Sequence, residues 1–193
     1  MSGLRERKIA KAKTSIQKCA LKLFAERGYT KTTVEQIAES AEVSPSTFFR
    51  YFQTKEAVVL YDSLDPIIIE AFSRQPLTMP IVRALRNAMK ETFDGLSVEE
   101  HSLEMQRFEL LRAIPELRAT MYEEMARNID LFAEIIGKRT KKDPDSLEVR
   151  NLAGSIIGVG IAALLQAYKR PETIDSINAF DNALARLEKG LEF

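Results

Sequence analysis

The residues from Thr32 to Lys55, TTVEQIAESAEVSPSTFFRYFQTK, permit few structures. Thr33 followed three residues later by Gln36 is a capping box: each side chain satisfies a backbone N–H that a starting helix leaves free. Val34, Ile37, Ala38 and Ala41 then recur at three- and four-residue spacing, as one apolar helical stripe requires. Ser44 is a second N-cap. Pro45 follows at the first helical position, where its fixed φ helps and its missing N–H costs nothing. Phe48 and Phe52, four apart, anchor this second helix on the core and leave Ser46, Thr47 and Arg50 pointing away. Two short helices joined by a tight turn make a helix-turn-helix.

The same reading extends over the rest of the chain. A first helix is expected from about Lys8 to Arg27, with Ile16, Ala20, Leu23 and Phe24 on its apolar face, Cys19 beside them, and Gly28 as its stop. Thr54 caps a fourth helix running through Ala57, Val58, Leu60, Tyr61 and Leu64 toward Phe72, kinked or offset at Asp65-Pro66. The segment QPLTMP at 75–80 reads as a linker. Further helices are expected over about 81–93, 98–113 (opened by the Ser97/Glu100 capping box) and 116–138. Asp143-Pro144 opens a long apolar helix to Tyr168, and Pro171 precedes a last one ending near Gly190.

The net charge of zero conceals a division. Residues 1–60 carry eleven Lys and Arg against six Glu, and the remainder is acidic by the same margin of five. A basic first third on an acidic body is the electrostatic footprint of a nucleic-acid-binding module, although basic N-terminal tails are common. No run approaches the roughly 18 apolar residues of a membrane span. The basic, polar start has no apolar signal region, and the single Cys19 forms no intrachain disulfide. A cytoplasmic protein without a membrane partner is expected. One His, one Cys, no Trp, no glycine-rich phosphate loop and no metal-ligand spacing give no catalytic residue, no cofactor and no metal site.

The first 60 residues resemble the TetR family of transcriptional repressors. The resemblance rests on Ala25-x-x-Gly28-Tyr29-x-x-Thr32-Thr33-Val34-x-x-Ile37-Ala38 and on Val43-Ser44-x-Ser46-Thr47-Phe48-Phe49-x-Tyr51-Phe52-x-x-Lys55-Glu56. Two positions depart from the family pattern. Glu42 stands where glycine is usual, so the turn must hold a side chain near the left-handed region at a cost of about 1 kcal/mol. Phe49 replaces a usual Tyr and lacks that hydroxyl. The run Arg107-Phe108-Glu109-Leu110-Leu111-Arg112-x-x-Pro115-Glu116-Leu117-Arg118 resembles a subgroup whose effector domains are associated with acyl-CoA-type ligands.

The resemblance implies an all-α fold: an N-terminal three-helix DNA-binding unit with a helix-turn-helix over 1–56, and a helical ligand-binding and dimerisation domain over 57–193. It implies a ligand-responsive regulator of double-stranded DNA, a repressor that leaves its operator when a small effector binds. A helical protein-interaction or architectural DNA-binding protein without an effector remains the alternative. By motif position, Thr33, Tyr51 and Lys55 are expected to contact the DNA backbone, Thr33 from a helix N-terminus and Lys55 as a cation. Ser44, Pro45, Ser46 and Thr47 start the recognition helix, where short side chains allow close approach, thymine-methyl contact and hydroxyl bonds to base edges. Arg50 is open to three readings: a guanine, a phosphate, or solvent. Arg5, Arg7 and Lys8 either enter the minor groove or raise the local potential.

One such helix reads too few base pairs, so a two-fold dimer on a palindrome is expected, its units about 34 to 36 Å apart. The segment 147–168 is apolar nearly all round after Leu152 and needs burial on more than one side. Gly154 and Gly158 thin one face. Ile157 and Ile161 on that helix, with Ile174, Ile177, Phe180, Leu184 and Leu187 on the last, could form a four-helix interface between homodimer subunits or the core of a monomer. Phe72, Met89, Phe93, Met105, Phe108, Leu111, Met121, Met125 and Phe132 are either plain core or the lining of an effector cavity. Arg107 and Arg112 either neutralise an anionic ligand or pair with Glu104, Glu109 or Glu116.

Overall fold

The computed structural model describes residues 2–169 and 176–190, with side chains from residues 8 and 177 onward in the two segments. Among the described residues there are ten helices and no strand: α1 Ser2–Arg27, α2 Val34–Ser40, α3 Pro45–Tyr51, α4 Lys55–Leu60, α5 Asp65–Arg74, α6 Ile81–Asp94, α7 Val98–Ala113, α8 Pro115–Thr140, α9 Leu147–Lys169 and α10 Ser176–Glu188. The all-α expectation holds. The side chains of Arg5 and Arg7, with Pro171 and Ile174, lie outside the described residues.

Three boundaries differ from the sequence reading, each for a local reason. α1 begins at Ser2, a turn and a half before Lys8. α4 and α5 are two helices: Tyr61 is extended at φ −60°, ψ 119°, and Asp62 Oδ1 accepts from the Leu64 N–H at 2.9 Å, so the chain turns before Pro66. Asp143-Pro144 does not open α9. Asp143 instead bonds the Asp145 N–H at 3.0 Å in a turn, and Ser146 takes the cap, accepting from Val149.

The chain packs as two compact units, Met1–Asp65 with Leu96–Arg118, and Pro66–Gly95 with Ala119–Phe193. In the first, α1 packs on α2, α3, α4 and α7. Ile16, Ala20, Leu21, Phe24, Ile37, Ala38, Phe48, Phe52, Val58 and Val59 are buried there. Gln17, 3% exposed amid this apolar face, spends its amide on the carbonyls of Val58 (2.9 Å) and Tyr61, satisfying the C-terminal end of the six-residue α4.

In the second unit α10 lies along α9 and α6. Its core joins Phe72, Leu85, Ala88, Ala133, Ile136, Val149, Ala153, Ile156 and Leu184. α9 is long and apolar enough to cross a membrane by length and composition alone. Here Val149, Ala153, Ile156, Ile157, Gly160, Ala163, Leu164 and Ala167 are buried within the unit, which accounts for much of its apolar character.

Candidate nucleic-acid interface

The helix-turn-helix is built from its caps. Thr33 accepts from the Gln36 N–H at 3.3 Å while Gln36 accepts from the Thr33 N–H at 3.0 Å, completing the expected capping box. Ser44 accepts from the Thr47 N–H at 3.1 Å and Pro45 stands at the helix start. Between the helices Glu42 adopts φ +54°, the left-handed conformation its position demanded. The Val43 N–H reaches back to the Ala38 carbonyl at 2.9 Å and closes α2. Phe48, with no exposed surface, fixes α3 on the core and contacts Phe52 at 6.0 Å between ring centres.

That anchoring turns the other face of α3 outward. Ser44, Pro45, Ser46, Phe49 and Arg50 are exposed, and Thr47 and Tyr51 are partly so. The three hydroxyls at the helix start form one network, Ser44 Oγ lying 2.8 Å from Ser46 Oγ and 3.0 Å from Thr47 Oγ1. Ser44 has one hydroxyl proton; when it goes to Thr47, Ser46 is the donor to Ser44. The free protein thus holds these hydroxyls as a set. Arg50 lies 5.0 Å from the Tyr51 ring centre, a stacking that limits where its guanidinium swings. Lys8, Ile9, Lys13, Arg50 and Tyr51 line an open groove of about 630 Å³, which brings first-helix cations beside the end of α3. Sequence reasoning had not paired Lys13 with this face.

Lys55 is the first residue of α4 and is partly exposed. Its ammonium donates to the Tyr29 carbonyl at 3.0 Å and the Thr32 carbonyl at 3.4 Å, and lies 4.4 Å from the Tyr29 ring centre. Tyr29 in turn donates to Glu56 at 2.8 Å. Burial pushes the Tyr29 phenol well above its ordinary value, and Glu56 adds to the rise, so the hydroxyl stays protonated and donating.

The residues considered for an effector fall in both units. Arg107, Phe108 and Leu111 belong to the first, and Met89, Phe93, Met121 and Met125 to the second. The ion pair of Arg107 with Glu104 forms (2.9 Å), but in the interior, with Asp62 as a second acceptor at 2.8 Å. Arg112 pairs with Glu109 at 2.6 Å. Leu111 is buried, and Met89 packs partly buried against the second core. Met121 Sδ accepts from the Tyr168 hydroxyl at 3.8 Å.

The residues considered for a dimer interface also divide. Leu184 is fully buried inside the protomer and Ile157 nearly so. Gly154 and Gly158 face open space, whereas Phe180 lies directly on Gly160, which the four-residue spacing had passed over. Two residues apart on a helix is about 200°, so Gly158 and Gly160 serve opposite faces.

Comparison with known proteins agrees with this architecture. Residues 16–61 match the family described as "Bacterial regulatory proteins, tetR family", and residues 79–192 match "MftR C-terminal domain". The HTH-type transcriptional regulator TcmR of Streptomyces glaucescens is 32% identical over 199 residues, spanning 98% of this chain and 88% of that protein. MftR of Mycobacterium tuberculosis is 26% identical, over 92% of this chain and 89% of its own length. Among solved structures, the TetR-family repressor FadR of Thermus thermophilus, in complex with lauroyl-CoA, superposes with a TM-score of 0.57. It is 25% identical and covers 94% of this chain and 95% of its own. With a capped helix-turn-helix at its head and both family matches along its length, this chain belongs to the TetR family of transcriptional regulators.

Proposed function

We propose that this protein is a ligand-responsive repressor that binds a palindromic operator as a homodimer and leaves it when a small amphipathic effector binds. The observation that carries the DNA half is the uncovered face of α3, where Ser44, Pro45, Ser46 and Arg50 stand exposed on a helix anchored from behind by Phe48. In this reading Ser46 and Thr47 meet base edges and thymine methyls, while Thr33 and Tyr51 hold the backbone in register. Arg50, stacked on Tyr51 and flanked by Lys8 and Lys13, serves a phosphate or a guanine at the end of the helix.

The second copy docks on the outward stripe of α9, where Ser155, Gly158, Ala162 and Leu165 are exposed and Gly154 and Ile161 lie alongside. An added Cβ at Gly154 or Gly158 meets nothing in the protomer, which leaves room for another helix. Phe180 and Leu184 support the interface from behind. The effector site is placed in the second unit, beside Met89, Phe93, Met121 and Met125, whose flexible or broad side chains suit an acyl chain. The likeness to a FadR bound to lauroyl-CoA supports that class of ligand.

Selecting duplexes from a random DNA pool tests the reading. A two-fold symmetric site, bound with a steep inverse dependence on salt and released by long-chain acyl-CoA, is expected. Thr47→Ala should relax preference at one base position per half-site by about 1 kcal/mol. Binding indifferent to sequence, or a site without symmetry, removes the repressor reading.

A further inference from the structure

We infer that Lys13 is a further DNA-contact residue: with Lys8 and Tyr51 it makes a site for one backbone phosphate, in the groove between the N-terminal half of α1 and the end of α3. The inference rests on the DNA-reading function above and adds to it a contact outside the helix-turn-helix.

α1 runs past the core it serves. Its backbone is helical from Ser2, yet Ile16 is the first of its described side chains to be buried. Ile9 and Lys13 precede Ile16 at helical spacing and prolong the face that packs Ile16, Ala20 and Phe24 inward. Beyond the core that face borders an open groove of about 630 Å³, lined by Lys8, Ile9, Lys13, Arg50 and Tyr51. A helix with its side chains is about 10–12 Å across, and the minor groove of DNA is about 6 Å wide. A helical start therefore does not thread the minor groove as an extended arm does. Its cations are left to meet the sugar-phosphate backbone.

The cations of α1 divide along its length. Lys18 and Lys22, in the later half, face Glu100 at 3.7 Å and Glu99 at 2.8 Å on α7. Among the described residues the Lys13 ammonium has no acceptor; it lies 5.0 Å from the ring centre of Tyr61 and 5.4 Å from that of Phe52. Phe52 is buried, so the rings fix where the charge stands, while their faces leave its three N–H donors for a ligand. Tyr51 lines the same groove with a phenol. A recognition helix meets base edges with its N-terminal residues, here Ser46 and Thr47. Its other end, at Arg50 and Tyr51, lies toward the wall of the major groove, where the backbone runs. Two lysines and a phenol at that end suit a phosphodiester.

The test measures binding across a salt series, on the duplex that wild type selects and on a random-sequence duplex, well below the melting transition. At such temperatures a loss of overall stability alone leaves the affinity unchanged. Lys13→Gln is expected to lose about tenfold on both duplexes and to lower the log–log salt slope by about 0.9 for each protomer. Lys13→Arg, which keeps the charge, should restore the slope. Lys11→Gln, at a residue that does not line the groove, should keep it. A neutral methylphosphonate, placed in turn at each backbone position, should weaken wild type at a position to which Lys13→Gln is indifferent. An affinity loss with the slope unchanged means that Lys13 serves only to hold Phe52 and Tyr61, and overturns the inference. A loss confined to duplexes with A·T-rich flanks means minor-groove readout and overturns it too. So does an equal fall in slope for Lys11→Gln, which makes the effect one of overall charge. If Lys13→Gln does not fold, Lys13→Met takes its place, since it keeps an apolar stem against the rings. If wild type selects no duplex, the sequence-reading function fails, and the slope on the random duplex still decides the role of Lys13, because non-specific binding rests on phosphate contacts.

Discussion

The helix-turn-helix unit and the helical body are held by different chemistry. In the first, α2, α3 and α4 have seven, seven and six residues, and each is opened by a side-chain cap: Thr33, Ser44 and Thr54. Helices this short do not persist alone, and their unpaired ends make up most of their length. The interior of that unit is polar in places: Gln17 is buried against the end of α4, and Thr32, Glu104 and Arg107 are buried as well. In the second, α6, α9 and α10 run to 14, 23 and 13 residues, the core is alanine, valine, isoleucine and leucine with Phe72, and the buried Thr92 spends its hydroxyl within α6 on the Ala88 carbonyl at 2.8 Å. The exception supports the rule. Where α5, of ten residues, ends in the second unit, Arg139 donates to the carbonyls of Phe72 (3.3 Å), Gln75 (3.1 Å) and Pro76. Short helices bring backbone ends into the interior, and charged or amide donors follow them there.

The largest test of that contrast is Arg107. Its side chain is 5% exposed between Glu104, 7% exposed, and Asp62. Removing one partner of a buried ion pair leaves a charge without solvent, so Arg107→Met should lose about 3–5 kcal/mol in denaturant unfolding at neutral pH. Burial pushes the Glu104 carboxyl above its ordinary value, against the pull of Arg107, and Asp62 adds to the rise. A carboxyl raised in the folded state destabilises as pH climbs through its folded value and ceases to do so once protonated. Without Arg107 that rise is larger, so the deficit of Arg107→Met should shrink on moving from pH 7 toward pH 5. A deficit that does not change with pH would show the loss to be one of packing.

The two units also differ in how much of them can be read from sequence. The caps at Thr33, Ser44, Thr54 and Ser97, and the left-handed Glu42, are decided by neighbours within four residues, and each stands where its residues direct it. The exposed start of α3 was legible because Phe48 and Phe52 fix which face turns in. Interactions across the fold were not. Gln17 meets Val58 across 41 residues, and Arg107 meets Asp62 across 45. Glycine spacing in α9 selected Gly154 and Gly158, while Phe180, twenty residues beyond Gly160, selects Gly160. Lys55 reads as a free cation until Tyr29 and Thr32 are brought to it by the turn.

Gly160 is the corresponding test in the body. A Cβ there would overlap the Phe180 ring, so Gly160→Ala should cost about 1–3 kcal/mol by overpacking. Phe180→Leu in the same chain should recover part of the loss, measured as a double-mutant cycle. Gly158→Ala meets open space in the protomer and should gain about 0.5–1 kcal/mol of helix stability. If the outward stripe of α9 is the dimer surface, that gain comes with weaker self-association in sedimentation. Equal losses at the two glycines would mean that the protomer does not distinguish the faces of α9.

A single cap is a smaller effect. Ser44→Ala removes the acceptor for the Thr47 N–H and should lower stability by about 1 kcal/mol. It should also free the Ser46 and Thr47 hydroxyls from their shared network, so operator preference should broaden as stability falls. Ser44→Asp, which keeps an acceptor, should recover the stability and not the preference.

The smallest effect compares the same backbone state in both units. Glu42 at φ +54° follows the seven-residue α2, and Lys141 at φ +58° follows the 26-residue α8. Each is a side chain in a conformation that suits glycine, and each terminates its helix with a bond back to an earlier carbonyl, Val43 to Ala38 (2.9 Å) and Lys142 to Gly137 (3.1 Å). Substitution by glycine relieves the clash of Cβ with the backbone and adds freedom to the unfolded chain, leaving a net gain of about 0.5–1 kcal/mol at either position. The cost is local, so Glu42→Gly and Lys141→Gly should shift the melting midpoint alike. They should part company on DNA. Glu42→Gly removes a carboxylate from the turn preceding the recognition helix and should tighten operator binding at low salt, an advantage that fades as salt rises. Lys141→Gly should leave binding untouched. A Glu42→Gly chain less stable than wild type would mean that this side chain makes compensating interactions stronger than its backbone strain.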